Sequence, residues 1–189
     1  MSYEIESQAR ACTAFAGERQ IASGELWEVA LTVKEEVGRG ESLPILIFDD
    51  FTGAQFDIDV RGTSDDVRQR YAPAAEPPRG PGRPKLGVVP REVTLLQSHW
   101  DWLNAQSGGA SVALRKLVHD AMRSSVDKDR ARQAIEATYR FLSSMAGNLP
   151  NFEEASRALF AEDQVRFGEL TAAWPADIRE HANKLLTSR

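Results

Sequence analysis

Five of the nine prolines in this 189-residue chain lie between Pro73 and Pro84, within the run APAAEPPRGPGRP. Proline has no amide hydrogen and a fixed φ, so closely spaced prolines interrupt helices and sheet ladders and favour an extended chain. The sequence therefore predicts a basic, proline- and glycine-rich linker over residues 73–87. This linker would separate an α+β domain over residues 1–72 from a mostly helical domain over residues 88–189.

The region before the linker predicts a small sheet of two hairpins with one helix packed across it. Two short apolar segments flank a turn at Gly17, and GELWEVALTVKEEV has apolar residues at helical spacing. LPILIFDD is typical of a buried strand, and AQFDIDVRG alternates, with Phe56, Ile58 and Val60 on one face. Thr63 or Ser64 can cap a short helix through DDVRQRY. The fold class we predict is α+β.

After the linker, the sequence predicts one strand and a bundle of about five to six helices. EVTLL alternates as a short strand does, and a glycine turn joins the helical segments SHWDWLNAQ and ASVALRKLVHDAMR. Asp127 is predicted to cap a separate helix that ends near Met145. Three shorter helices follow, with Asn151, Asp163 and Pro175 near their starts.

Composition and charge limit the classes of protein to consider. Residues 1–75 carry 7 Lys/Arg against 14 Asp/Glu, residues 76–135 carry 10 against 6, and the whole chain has a net charge of −5. A basic middle segment is compatible with local phosphate binding, whereas the overall charge argues against strong nonspecific binding to nucleic acid. No apolar run of about eighteen residues and no secretory signal pattern is present, so no membrane partner is expected. With Cys12 as the single cysteine, we expect a cytoplasmic protein.

The order of elements over residues 91–123 resembles a ribbon-helix-helix DNA-binding unit. A basic arm precedes a short strand, a helix, a glycine turn and a second helix. In such units, strands from two subunits pair antiparallel and the ribbon enters the major groove. The resemblance implies a homodimer in which Val93 and Leu95 form a shared core, with duplex DNA as the partner.

Candidate nucleic-acid contacts lie on the arm, the strand and the second of these helices. Ser111 is predicted to cap the second helix, whose free amides would hold a phosphate. On the strand, Thr94 suits base contacts, Leu96 is apolar, and Glu92 would repel phosphate. The Gly-Arg-Pro core of the arm resembles an AT-hook, although Pro81 replaces a basic residue there and a plain linker remains the alternative. The predicted set is Arg79, Arg83, Lys85, Arg91, Thr94, Ser111, Arg115 and Lys116.

Two alternatives to DNA binding remain open. One is a protein–protein interaction module, in which the acidic first domain and the helical tail bind a partner. The other is an enzyme with a divalent cation at Asp49, Asp50, Asp57 and Asp59, although the last two alternate with apolar residues as a solvated sheet face does. The three histidines lack zinc-type spacing, and no catalytic or phosphate-loop motif occurs. We therefore expect no catalytic residues, no metal and no cofactor.

Several strings of the sequence resemble an uncharacterised bacterial family, the domain of unknown function 2239. They are IFDDFTGAQFDIDVRG, GRPKLGVVPREVTLL, HWDWL with GGASVALRKLV, and MAGNLPNFEEASRALFAED with AAWPADIREHA after it. The resemblance covers nearly the whole chain and implies a bacterial cytoplasmic protein, with no activity attached. Together with the central segment, it predicts a cytoplasmic protein that acts as a DNA-associated regulator.

Overall fold

The computed structural model describes residues 11–40, 43–73, 89 and 91–187. The chain divides into two compact units: unit 1 comprises Met1–Ala75 with Arg130–Arg189, and unit 2 comprises Glu76–Asp129. This grouping places the C-terminal helices with the N-terminal sheet. Nearly all of the predicted linker, residues 73–87, lies outside the described residues, so the domain boundaries remain a prediction.

Unit 1 is built on a four-stranded antiparallel sheet of two adjoining hairpins, in the order β2-β1-β3-β4. The strands are β1 (Ala11–Ala16), β2 (Arg19–Glu25), β3 (Ile45–Asp49) and β4 (Gln55–Phe56). Helix α1 (Leu26–Gly38) joins the two hairpins, and α2 (Ser64–Tyr71) follows the sheet. The predicted α+β class with two hairpins is confirmed, although β4 is shorter than its alternating sequence suggested.

Side chains from the two faces of the sheet enter two different hydrophobic cores. On one face, Cys12, Ala14 and Ile47 pack with Val29 and Val33 of α1. Ile58 and Val60 join this core although strand pairing has ended, because their alternation still directs them inward. The side chain of Cys12 is therefore buried in a packed core.

The opposite face of the sheet packs against helices from the C-terminal part of the chain. Phe15 and Phe48 lie against Phe141, with ring centroids 5.4 and 5.0 Å from it. Ile178 and Leu185 belong to the same core. Since a sheet with both faces apolar must be covered on both sides, these helices complete the N-terminal fold.

Five helices follow the predicted linker. They are α3 (Gln97–Asn104), α4 (Gly109–Met145), α5 (Phe152–Phe160), α6 (Gln164–Thr171) and α7 (Ala176–Thr187). Helix α4 is continuous over 37 residues. The prediction of a new helix capped by Asp127 was therefore wrong. Neither proline nor glycine occurs between residues 110 and 145, so nothing in the sequence forces a break.

Two further local predictions are corrected by the structure. Residues 91–96 form no strand, because no described strand lies beside them to complete a hydrogen-bonded ladder. Pairing of this segment with a second copy remains a prediction. Ser111 is not a helix cap, because α4 already begins at Gly109 and Ser111 lies in its first turn.

Candidate functional site

Five polar side chains meet in unit 1 near one end of the sheet, where helix α7 contributes two of them. They are Thr13, Ser23, Asp50, His181 and Lys184, and we call them the Asp50–Lys184 cluster. Thr13 and Ser23 are cross-strand partners in the β1–β2 hairpin, and Asp50 directly follows β3. His181 and Lys184 are three residues apart on α7, so they lie on the same side of that helix.

Lys184 is the centre of the cluster's hydrogen bonds. Its Nζ donates to Asp50 Oδ2 at 2.7 Å and to Ser23 Oγ at 2.8 Å, with Thr13 Oγ1 at 3.5 Å. Thr13 Oγ1 donates to the other carboxylate oxygen of Asp50 at 2.8 Å. Because an ammonium has three donors and no acceptor, Lys184 binds three oxygens at once and balances the charge of Asp50.

His181 lies beneath this ion pair in an apolar environment. The residue is 1% exposed, and neither ring nitrogen has a hydrogen-bond partner among the described residues. Its ring packs edge-on against Phe15 and Phe141, and Nε2 lies 3.8 Å from Asp50 Oδ1. Burial lowers the pKa of His181 to about 4, despite the opposing effect of the Asp50 carboxylate. His181 is therefore neutral at neutral pH.

The geometry of the cluster favours a structural role over catalysis. Lys184 uses its protons to hold Ser23 Oγ as an acceptor, which does not activate the hydroxyl as a nucleophile. The same contacts tie α7 to both hairpins of the sheet. A second link runs from the backbone amide of Gln20 to Asp177 Oδ2, at 2.7 Å. The cluster thus connects the last helix to strands that precede it by more than a hundred residues.

Three of the four aspartates considered as cation ligands have structural partners. Asp49 Oδ1 accepts hydrogen bonds from the backbone of residues 51 and 52 and from the Thr52 hydroxyl. Asp50 pairs with Lys184, and hydrogen bonds from Arg61 lower the pKa of Asp59. Within the described ranges, no group of three or more His, Cys, Asp or Glu side chains is arranged to hold a metal ion.

The predicted nucleic-acid contacts are only partly visible. Arg79, Arg83 and Lys85 lie outside the described residues. Arg91 and Thr94 are exposed on the irregular segment 91–96. The other three, Ser111, Arg115 and Lys116, are exposed on the first turns of α4. Ser111 and Arg115 are four residues apart and share a side of the helix, whereas Lys116 is rotated by about 100° from Arg115.

Unit 2 differs from unit 1 in the burial of its large apolar side chains. In its described part, Leu103 is the single buried residue, and both hydrophobic cores consist of unit 1 residues. Its exposed apolar side chains are Val89, Val93, Leu96, Trp102, Val112, Leu117, Val118 and Met122. A contiguous group of exposed apolar side chains is typical of a protein contact site, and Val118 and Met122 are such neighbours, four residues apart on α4. The sequence predicted a helix over ASVALRKLVHDAMR, which begins α4. It did not indicate that Leu117, Val118 and Met122 on this helix would be exposed.

The chain belongs to the family described as uncharacterized protein conserved in bacteria (DUF2239), whose sequence model matches residues 11–186. Neither a curated protein nor a solved structure matches the chain. Among the described helices, none has the length and apolar character needed to cross a bilayer.

Proposed function

We propose that this DUF2239 protein is a homodimeric, DNA-associated regulator of the cytoplasm, in which unit 2 supplies both the dimer contact and the contact with duplex DNA. Unit 1 then serves as a folded module attached to it. A single, buried cysteine, Cys12, is compatible with a reducing compartment.

The observation that carries the proposal is the exposure of large apolar side chains in the described part of unit 2. On α4, Leu117, Val118 and Met122 are 47%, 55% and 62% exposed. Full burial of an exposed side chain of this size contributes about 1.5–3 kcal/mol, so covering the exposed half of each contributes roughly half of that. A second copy of unit 2 would bring an identical apolar surface to this one, as an isologous dimer interface requires.

Residues 91–96 supply a second element for the same dimer. Val93 and Leu95 are two residues apart, so in an extended chain they point to the same side. Val93 is exposed and Leu95 is half-buried. Antiparallel pairing with the same segment of a second copy would satisfy backbone amides and carbonyls along one edge. Val93 and Leu95 would then meet across the pair.

DNA association is supported by exposed basic residues of unit 2. Arg91, Arg115 and Lys116 are exposed, and residues 76–135 carry a net excess of four positive charges. Phosphate contacts from Lys and Arg provide most of the affinity in nonspecific DNA binding. A dimer doubles the number of such contacts on one duplex.

The dimer is tested by light scattering at tens of micromolar protein, with Val118→Glu and Val112→Glu as a matched pair. Val118 belongs to the apolar side formed with Leu114 and Met122, whereas Val112 lies on another side of the same helix. We expect a dimer for the wild type and for Val112→Glu, and a monomer for Val118→Glu. A monomeric wild type contradicts the proposal.

Titration of an A·T-rich duplex at low and raised salt tests the DNA contact. We expect binding that weakens steeply as salt rises, because counterions are released when phosphates are neutralised. A stable dimer that binds no duplex at low salt overturns the regulatory role. That outcome would favour the interaction-module alternative, in which the apolar surface meets another protein.

A further inference from the structure

Helix α4 carries a row of basic side chains, Arg115, His119 and Arg123, at intervals of four residues. All three are exposed. Residues four apart on an α-helix advance about 40° around the axis and about 6 Å along it. The three side chains therefore follow a shallow spiral along about 12 Å of one side of the helix.

Within the part of the chain that the structure describes, no carboxylate pairs with the two arginines of this row. Among the described residues, the ion pairs involve neither Arg115 nor Arg123. In unit 1, by contrast, Arg140, Arg157 and Arg166 each pair with a glutamate three or four residues away. A guanidinium without a carboxylate partner has all of its donors available to an anion.

The basic row borders the apolar side of the helix. Each of its members directly follows one of Leu114, Val118 and Met122 in the sequence, and one residue corresponds to a rotation of about 100°. Arg115 is nevertheless only about 20° from Met122 around the axis, because the two are seven residues apart, whereas Arg123 is about 100° from Met122. A second copy that covers the apolar side can therefore leave His119 and Arg123 open to solvent, with Arg115 at the edge of the contact.

We propose that Arg115, His119 and Arg123 form the phosphate-contacting surface of unit 2, which adds His119 and Arg123 to the residues predicted from the sequence. The proposal rests on the DNA association proposed above. Members of the row are about 6 Å apart along the helix, so each can contact a separate phosphate of one strand. Guanidinium groups bind phosphate oxygens through paired hydrogen bonds.

The row has a defined end. Asp127 occupies the next position of the same spiral, four residues after Arg123, and would repel a phosphate there. The surface therefore spans three side chains.

The opposite side of helix α4 carries Lys128, which is exposed and is rotated by about 140–220° from the members of the row. Lys128 thus provides a charge-matched control on the same helix.

The test measures the affinity of the full-length protein for one A·T-rich duplex over a range of salt concentrations. Each phosphate contact contributes about 0.9 to the slope of log affinity against log salt. We expect Arg123→Ala to lower that slope by about 0.9, and Arg115→Ala with Arg123→Ala to lower it by about 1.8. His119→Ala should weaken binding with a smaller change of slope. Lys128→Ala should leave affinity and slope at the wild-type values.

The outcomes separate the two proposals. If the wild type binds the duplex and both arginine variants keep its slope, the row is wrong and DNA association stands. If Lys128→Ala lowers the slope as much as Arg123→Ala, the contact is diffuse and the row is likewise wrong. A wild type that binds no duplex at low salt overturns the DNA association and the row with it. Circular dichroism and light scattering confirm that each variant keeps its helices and its oligomeric state.

Discussion

Gly53 lies directly against the backbone of helix α4 at Ala137. A Cβ added at Gly53 would overlap the carbonyl oxygen of Ala137. Gly53 also has a φ of +65°, in the left-handed region that glycine occupies without strain. Next to it, the Arg140 guanidinium donates to the carbonyl oxygen of Thr52 at 3.0 Å. The β3–β4 turn is thus attached to α4 by close backbone packing and by a hydrogen bond.

The first prediction is that Gly53→Ala destabilises unit 1. The methyl group must push the turn away from α4, and the left-handed backbone adds strain, so we expect a loss of about 2–4 kcal/mol in the free energy of unfolding. Urea unfolding followed by circular dichroism measures it. Gly38→Ala is the control, since a Cβ there meets open space at the end of α1. Equal stabilities of the two variants would show that Gly53 does not pack as described.

The second prediction concerns the ion pair between Lys184 and Asp50. Lys184→Met removes the ammonium and leaves a carboxylate that is 11% exposed without its cation. We expect a loss of about 1–3 kcal/mol in unfolding free energy, because an unpaired buried charge must be desolvated. Adding Asp50→Asn to this variant should cost less than the sum of the single changes.

Arg157→Met provides the control for Lys184→Met. Arg157 also pairs with carboxylates, those of Glu153 and Glu154, but all three side chains are more than half exposed. Exposed pairs of this kind contribute about 0–1 kcal/mol. If both variants lose the same small amount of stability, the Asp50–Lys184 cluster does not hold α7 to the sheet.

The sequence predicted the local elements of unit 1 well, because their signals are local. The hairpin turn at Gly17 and the apolar spacing in α1 were sufficient, and Thr63 caps α2 through a reciprocal pair of bonds with Asp66. The Asp50–Lys184 cluster was not predicted. Its two charged residues are 134 positions apart, and neither has a neighbour in the sequence that indicates the other.

Local sequence patterns also did not predict how the helices pack against the sheet. Apolar segments predicted the strands that contain Phe15 and Phe48, but they could not identify Phe141 as the residue that covers both side chains. Asp127 has the side chain of a helix cap, yet a cap acts only where a helix starts. Because α4 continues through Asp127 without a break, no helix begins there for Asp127 to cap. Tertiary packing and the continuity of α4 therefore determine where the helices begin and how they pack, which local residue preferences do not specify.

The third prediction is that His181 makes stability fall between about pH 6.5 and about pH 4. The unfolded chain binds a proton at His181 below its ordinary pKa of 6.5, whereas burial lowers the pKa in the fold to about 4. Stability from the neutral imidazole is complete above pH 6.5 and is lost as the pH falls through this range, by on the order of 3 kcal/mol. Asp50 and Lys184 are the charged groups beside it.

Comparison of variants isolates this effect from other titrating groups. The difference in unfolding free energy between pH 7 and pH 5 should shrink in His181→Leu, because the unfolded variant has no imidazole to protonate. His99→Leu, at an exposed position, should keep the wild-type difference. An unchanged pH dependence in His181→Leu would mean that the buried imidazole does not titrate as inferred.

The fourth prediction is that trypsin cuts first within residues 73–87. The prolines and polar residues of this segment favour an extended chain with few packing contacts. Arg79 and Lys85 should be cleaved before Arg132 and Arg140, which lie inside helix α4. Mass spectrometry of early fragments identifies the sites. First cleavage within α4 would contradict the predicted linker.

The fifth prediction depends on the proposed DNA contact and concerns Glu92. This residue is exposed on the segment 91–96, which we propose pairs between subunits, and its carboxylate would repel the DNA backbone. Glu92→Gln should therefore tighten binding to an A·T-rich duplex at low salt, by less than about tenfold. Glu180→Gln removes the same charge from an exposed site on α7 and isolates the global effect of net charge. If the two variants tighten binding equally, only net charge matters, and the segment around Glu92 does not face the DNA.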